Sequence, residues 1–89
     1  MKAVGRIEWA TRAVKDMRRL AAPARARIVA KVEQYAADPA SLANNVIQLA
    51  DSKYRRLRIG SYRVLFSIET NTITVLVVLR VRHRSEAYD

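Results

Sequence analysis

The chain has 89 residues, the length of one domain, and sits near the lower end of what forms its own core without a disulfide or metal. It has no cysteine, which excludes disulfides and thiolate metal sites, and its longest apolar run, Ile73 to Leu79 interrupted by Thr74, falls far short of the ~20 residues of a membrane helix. Seventeen Lys and Arg against eight Asp and Glu give a net charge of +9, and most of the excess is arginine, the planar bidentate cation suited to phosphate and base planes. Nucleic acid is therefore the expected partner ahead of a membrane surface.

Along the chain, residues 3–9 alternate with Ile7 and Trp9 on one side, which predicts a first strand with those two facing inward. The N-terminus lacks the apolar stretch of a signal peptide, so a soluble, cytoplasmic protein is expected. From Ala10 the period becomes helical. Ala10, Ala13, Val14, Met17, Leu20 and Ala21 form one stripe, while Arg12, Lys15, Arg18 and Arg19 occupy the remaining surface. Pro23 suits the first turn of a second helix, whose stripe is Ile28, Val32, Tyr35 and Ala36. Asp38-Pro39 ends it, because the residue before proline disfavours the helical region.

Residues 40–52 read as a connection in which Leu42, Val46, Ile47 and Leu49 cap one end of the core. Three strands are then expected at about 53–59, 62–69 and 73–82. Gly60-Ser61 reads as a two-residue hairpin turn with glycine first, which sets Ile59 against Tyr62, Arg58 against Arg63, Leu57 against Val64 and Arg56 against Leu65. Because side chains alternate, Leu57, Ile59, Tyr62, Val64, Phe66 and Ile68 share the core face. Centring the next turn on Asn71-Thr72 places Ile68, Phe66 and Val64 opposite Val75, Val77 and Leu79, and Arg63 opposite Arg80. The fold class is thus α+β, a small antiparallel sheet in the order β-α-α-β-β-β with two N-terminal helices on one face.

Two helices cover only one face of so small a sheet, so the other, carrying Arg56, Arg58, Arg63, Arg80, Arg82 and Arg84, is expected to be open. Like charges directly opposite in a sheet are destabilising, and a cluster of them suggests a polyanionic ligand, phosphate above all. Lys53, Tyr54 and Arg55 join the candidate RNA contacts. His83, the only histidine, is the one side chain here whose type changes charge near neutral pH and so suits acid–base work, although strand alternation would turn it toward the core side. No cofactor or metal is expected.

These residues carry a family resemblance. Trp9-(two)-Arg12-Ala13-Val14-Lys15-Asp16-Met17-(two)-Leu20, Asp38-Pro39, Tyr54 through Phe66 with its Leu57-Arg58-(one)-Gly60-(one)-Tyr62-Arg63, and the terminal His83-Arg84-(three)-Tyr88 together resemble the RelE/ParE superfamily of toxins from bacterial toxin–antitoxin pairs. The arginine-dense strands and the ending look like the RelE branch. That resemblance implies a metal-independent mRNA endonuclease acting in the ribosome, in which the 2′-hydroxyl attacks the scissile phosphate. It further implies a cognate antitoxin that neutralises the toxin and recruits it to operator DNA. The nuclease residues would be Arg56 or Arg58, Arg63, Arg84 and Tyr88. Some members carry lysines, assigned to proton abstraction, where this chain has Arg55, Arg56 and Arg58. A gyrase-directed toxin of the ParE type and a non-catalytic RNA-binding domain are the alternatives.

Overall fold

In the computed structural model, which describes residues 4–86, the elements are β1 (Arg6–Trp9), α1 (Thr11–Arg18), α2 (Ala22–Ala37), a 3-10 segment (Pro39–Asn45), β2 (Val46–Gln48), β3 (Tyr54–Ile59), β4 (Tyr62–Thr70) and β5 (Thr74–His83). They build one five-stranded sheet in the order β1-β5-β4-β3-β2, with β1 parallel to β5 and every other pair antiparallel.

Both helices lie on the same face. Ala13 and Met17 of α1 and Ile28, Val32, Tyr35 and Ala36 of α2 pack in one cluster with Leu57, Ile59, Val64, Phe66, Leu76, Val78 and Val81 of the strands. The Tyr35 and Phe66 rings meet edge to face, with centroids 5.3 Å apart, a geometry aromatic quadrupoles favour. Lys15 and Arg18 complement the carbonyl end of α1. Arg25 donates to the Leu20 carbonyl in the link between the helices. Pro23 occupies the first turn of α2, and Asp38 leaves the helix in a non-helical conformation (φ −147°, ψ 82°), in keeping with the proline that follows.

The connection after α2 contains a strand that the sequence reading left out. Val46–Gln48 pairs antiparallel with Leu57–Arg55 at the sheet edge. Leu42 is buried and Val46 packs on the core as expected, but Ile47 is 50% exposed and does not cap it.

The Gly60-Ser61 hairpin has the expected register from Ile59–Tyr62 through Arg56–Leu65, and Gly60 carries the positive φ (56°) that its first turn position needs. The second hairpin differs. Its last pair is Thr70–Thr74, leaving a three-residue loop, so Ile68 faces Leu76 and Phe66 faces Val78. A bulge between Leu65 and Phe66 then advances the register again, to Leu65–Arg80, Val64–Val81 and Arg63–Arg82. Two one-residue shifts cancel in parity. Leu76 and Val78, rather than Val77 and Leu79, are the inward side chains, yet Arg80 and Arg82 still face away from the helices. Arg63 accordingly stands opposite Arg82, which corrects the expected pairing with Arg80.

Candidate nucleic-acid interface

The uncovered face is built from alternate residues of three adjacent strands. Arg58, Arg63 and Arg82 form one row, and Arg56, Leu65 and Arg80 form the next. Two cavities open among them. One, of about 210 Å³, is lined by Leu49, Arg56, Arg63, Leu65, Arg80, Arg82 and Glu86. The other, of about 240 Å³, is lined by Asn44, Asn45, Ile47, Arg56, Arg58 and Arg63. Arg56 and Arg63 border both, so together the cavities make a continuous basic trough with apolar patches at Leu49, Leu65 and Ile47.

Hydrogen bonds fix several of these side chains. Arg63 Nη1 donates to the carbonyls of Gly60 and Tyr62, both at 3.0 Å, which ties the guanidinium to the hairpin turn. Arg80 is held by Asp16 of α1, with Nε to Oδ2 at 2.8 Å and Nη2 to Oδ1 at 3.2 Å. The same Oδ2 accepts the Val81 amide at 2.9 Å. Burial disfavours the charged form of Asp16, but these two donors and the charges of Arg80 and Arg82 outweigh it and hold the carboxyl below its ordinary range. Arg80 is correspondingly raised, first by its hydrogen bond to Asp16, against the effect of burial, and then by the charges of Asp16 and Glu86. Arg82 Nη2 lies 3.4 Å from the Glu86 carbonyl.

Other candidates lie elsewhere. Arg55 is on the helix-covered side, where its Nε donates to Gln48 Oε1 at 3.0 Å, and it borders a separate cavity of about 370 Å³ with Tyr35, Pro39, Ala43 and Val46. Lys53 and Tyr54 are exposed at the start of β3, with Nζ 5.7 Å from the ring centroid. Arg84 follows β5, its amide donating to the Ser61 carbonyl at 2.7 Å, and its side chain borders neither basic cavity. Tyr88 lies outside the described residues.

His83 pairs with Tyr62 on the helix-covered face, ring against ring at 5.6 Å and 88°. Its Nδ1 is 3.2 Å from the Ser85 amide and 2.8 Å from Ser85 Oγ. A backbone amide only donates, so Nδ1 is an acceptor and the neutral ring carries its proton on Nε2. The imidazole is therefore held at Nδ1 by the turn at Ser85, on the side of the sheet away from the arginine trough.

The sequence reading missed three contributors. Leu65 was legible, since the first hairpin already set it opposite Arg56. Its position in the sequence points Leu49 to the core end, and only the β2–β3 turn brings it to the trough. Asp16 is legible only as one position of the first-helix motif, with nothing nearby in sequence to tie it to Arg80.

Residues 7–88 match the family model described as ParE toxin of type II toxin–antitoxin system, parDE. The chain belongs to the RelE/ParE superfamily of type II toxins. Solved relatives of this toxin share its fold. The RelE–RelB complex of Pyrococcus horikoshii aligns at 23% identity and a TM-score of 0.75, covering 98% of this chain and 100% of that one. The RelBE2 toxin–antitoxin complex of Mycobacterium tuberculosis gives 26% identity and a TM-score of 0.63, covering 97% and 98%. The intact Escherichia coli RelBE complex gives 20% and 0.68, covering 86% and 93%. A search of curated proteins found no match. The family model thus names the ParE side of the superfamily, whereas these structural relatives are RelE complexes, and at identities of 20–26% the structural likeness speaks to the fold.

Proposed function

We propose that this toxin is a ribosome-dependent mRNA endonuclease that arrests translation in the cytoplasm until a cognate antitoxin covers it. The observation that supports this reading is the trough, where Arg56, Arg63, Arg80 and Arg82 border one cavity on the uncovered face of the sheet. RNA cleavage through the 2′-hydroxyl requires in-line alignment, removal of the 2′ proton, stabilisation of charge on the phosphorus oxygens and protonation of the departing 5′-oxygen. Guanidinium groups serve the third task. Arg63, central in the row with Arg58 and Arg82 on either side, is the phosphate clamp.

A guanidinium is a poor proton acceptor at neutral pH, and among the described residues lining the trough Glu86 is the one carboxylate. Such a site depends on the ribosome to hold the RNA in line, and the charge of +9 favours capture on that polyanion. Neutralisation follows the same logic: an acidic or amphipathic segment of an antitoxin meets the basic face, and operator DNA is reached only through that complex. The solved relatives are themselves toxin–antitoxin complexes.

Brief induction followed by sequencing of mRNA 5′ ends tests the reading. Fragments cut within codons, faster on ribosome-bound than on free mRNA and lost in Arg63→Ala, are expected. Equal rates on the two substrates would contradict ribosome dependence. The ParE match over residues 7–88 favours a second reading, a DNA gyrase inhibitor. That toxin would produce cleaved DNA–gyrase complexes and leave mRNA intact. Binding of RNA with neither activity would indicate a non-catalytic domain.

A further inference from the structure

β1 ends at Trp9, opposite Val78, and the Ala10 amide makes the last contact to the Val78 carbonyl at 2.9 Å. Beyond that point β5 continues to His83 with its outer edge no longer covered by a strand. An uncovered edge carries backbone donors that need partners. Asp16 fills the place. One carboxylate oxygen takes the Val81 amide, and both oxygens take the adjoining Arg80 guanidinium along its Nε–Nη2 side. The Asp16 side chain is only 10% exposed and that of Arg80 26%, so the pair sits in the wall of the sheet and not on a loose surface.

A guanidinium gripped along Nε–Nη2 presents its other, Nη1–Nη2 edge outward in one orientation. Arg80 also borders the 210 Å³ cavity between Arg56, Arg63 and Arg82, so that orientation fixes one wall of the trough. Asp16 thus performs two tasks with one group: it closes the sheet edge and aims an arginine from behind.

We infer that Asp16 is a positioning residue of the toxin, which acts on RNA through Arg80 by holding its guanidinium in the wall of the arginine trough. The inference rests on the mRNA-cleavage reading. The depressed titration of Asp16 agrees with it, since only the carboxylate accepts all three hydrogen bonds.

The test is single-turnover cleavage of ribosome-bound mRNA by wild type, Asp16→Asn, Asp16→Glu, Arg80→Ala, Arg80→Lys and the Asn/Ala double variant, each first shown to be folded. Asp16→Asn should lower the saturating rate by between about tenfold and a hundredfold, the scale of a misaimed group. Its half-saturating concentration should stay level or fall, because one negative charge beside the arginines has gone. A purely structural latch would leave the rate per folded molecule unchanged. The double variant should be no slower than Arg80→Ala, and Asp16→Glu should recover part of the loss.

Arg80→Lys, which keeps the charge and loses the fork, should behave like Arg80→Ala, and it carries the test should Asp16→Asn fail to fold. The nitrogen-15 signal of Arg80 Nε–H, slow to exchange in the wild type, should become fast in Asp16→Asn. Wild-type rates in folded Asp16→Asn or in Arg80→Lys would overturn the inference alone. Absence of cleavage by the wild type would overturn the functional reading and the inference with it.

Discussion

Arg63 of β4 lies directly opposite Arg82 of β5, and Arg58 flanks Arg63 on its other side, so three positive charges stand in register across adjacent strands. Opposed like charges destabilise a sheet, and replacing one with a neutral side chain relieves about 0.2–1 kcal/mol. Arg82→Gln should therefore raise resistance to urea by a few tenths of a kcal/mol while abolishing growth arrest. Arg63→Gln should abolish arrest with little gain, because its two hydrogen bonds to the hairpin turn are lost at the same time. Urea titration of both variants beside an induction assay decides the point. Arg82→Gln proving less stable than wild type would mean that the row is not under electrostatic strain.

Gly60 sets the register on which that row depends. Its φ of 56° costs an L side chain about 1–2 kcal/mol, so Gly60→Ala should lose that much stability. A Cβ there would also meet the Arg27 guanidinium at 2.9 Å, but that is the end of a flexible side chain, which swings aside cheaply. Backbone conformation therefore dominates. Asn tolerates the left-handed region, so Gly60→Asn should lose less than Gly60→Ala. In a domain this size each kcal/mol moves the melting temperature by about 4–8 °C, which thermal unfolding resolves easily.

Asp16 makes part of the stability depend on pH, and the sign is fixed by the direction of its shift. A carboxyl held below its ordinary range in the folded state contributes fully above the unfolded value, near pH 4, and loses that contribution as pH falls through the lower folded value. The groups around it are Arg19, just past the end of α1, and Arg80, Arg82, His83 and Glu86 from β5 and the turn after it. At neutral pH Asp16→Asn should be less stable than wild type by about 1.5–3 kcal/mol, the range for hydrogen bonds to a charged group. That gap should close as the solution is acidified below pH about 4. Denaturant curves of both proteins between neutral pH and the acid limit measure it, and a gap that stayed constant would show that ionisation of Asp16 is not what holds the contact.

Much of this was written in local sequence. The Gly-Ser turn fixed β3 against β4, and the helical stripes at Ala13 and Met17 and at Ile28, Val32, Tyr35 and Ala36 named the buried side chains of α1 and α2. What escaped was set by longer-range terms. A three-residue strand such as Val46–Gln48 is too short to show a period, and it forms because β3 offers an edge. The β4–β5 register moved by one residue at the loop and one more at the bulge beside Leu65, and neither shift has a glycine or proline to announce it. Outward placement of Arg80 and Arg82 was read correctly, because two shifts restore the parity that one would have inverted. Asp16 is the clearest case of what a single element hides: its partners, Arg80 and Val81, are 64 and 65 residues away in the chain.

His83 gives the sharpest prediction about chemistry. A general base typically contributes between about a hundredfold and ten-thousandfold to the rate, so its removal is hard to miss. The imidazole here meets the Tyr62 ring edge to face on the helix-covered side and receives the Ser85 amide at Nδ1, and it borders neither basic cavity. His83→Gln should accordingly retain cleavage of ribosome-bound mRNA to within about threefold of wild type, well below the loss that a base would show. Its cost should fall on stability instead, about 0.5–1.5 kcal/mol for the lost ring contact. A hundredfold loss in a folded His83→Gln protein would return the histidine to the reaction and require that the turn at Ser85 rearranges when RNA binds.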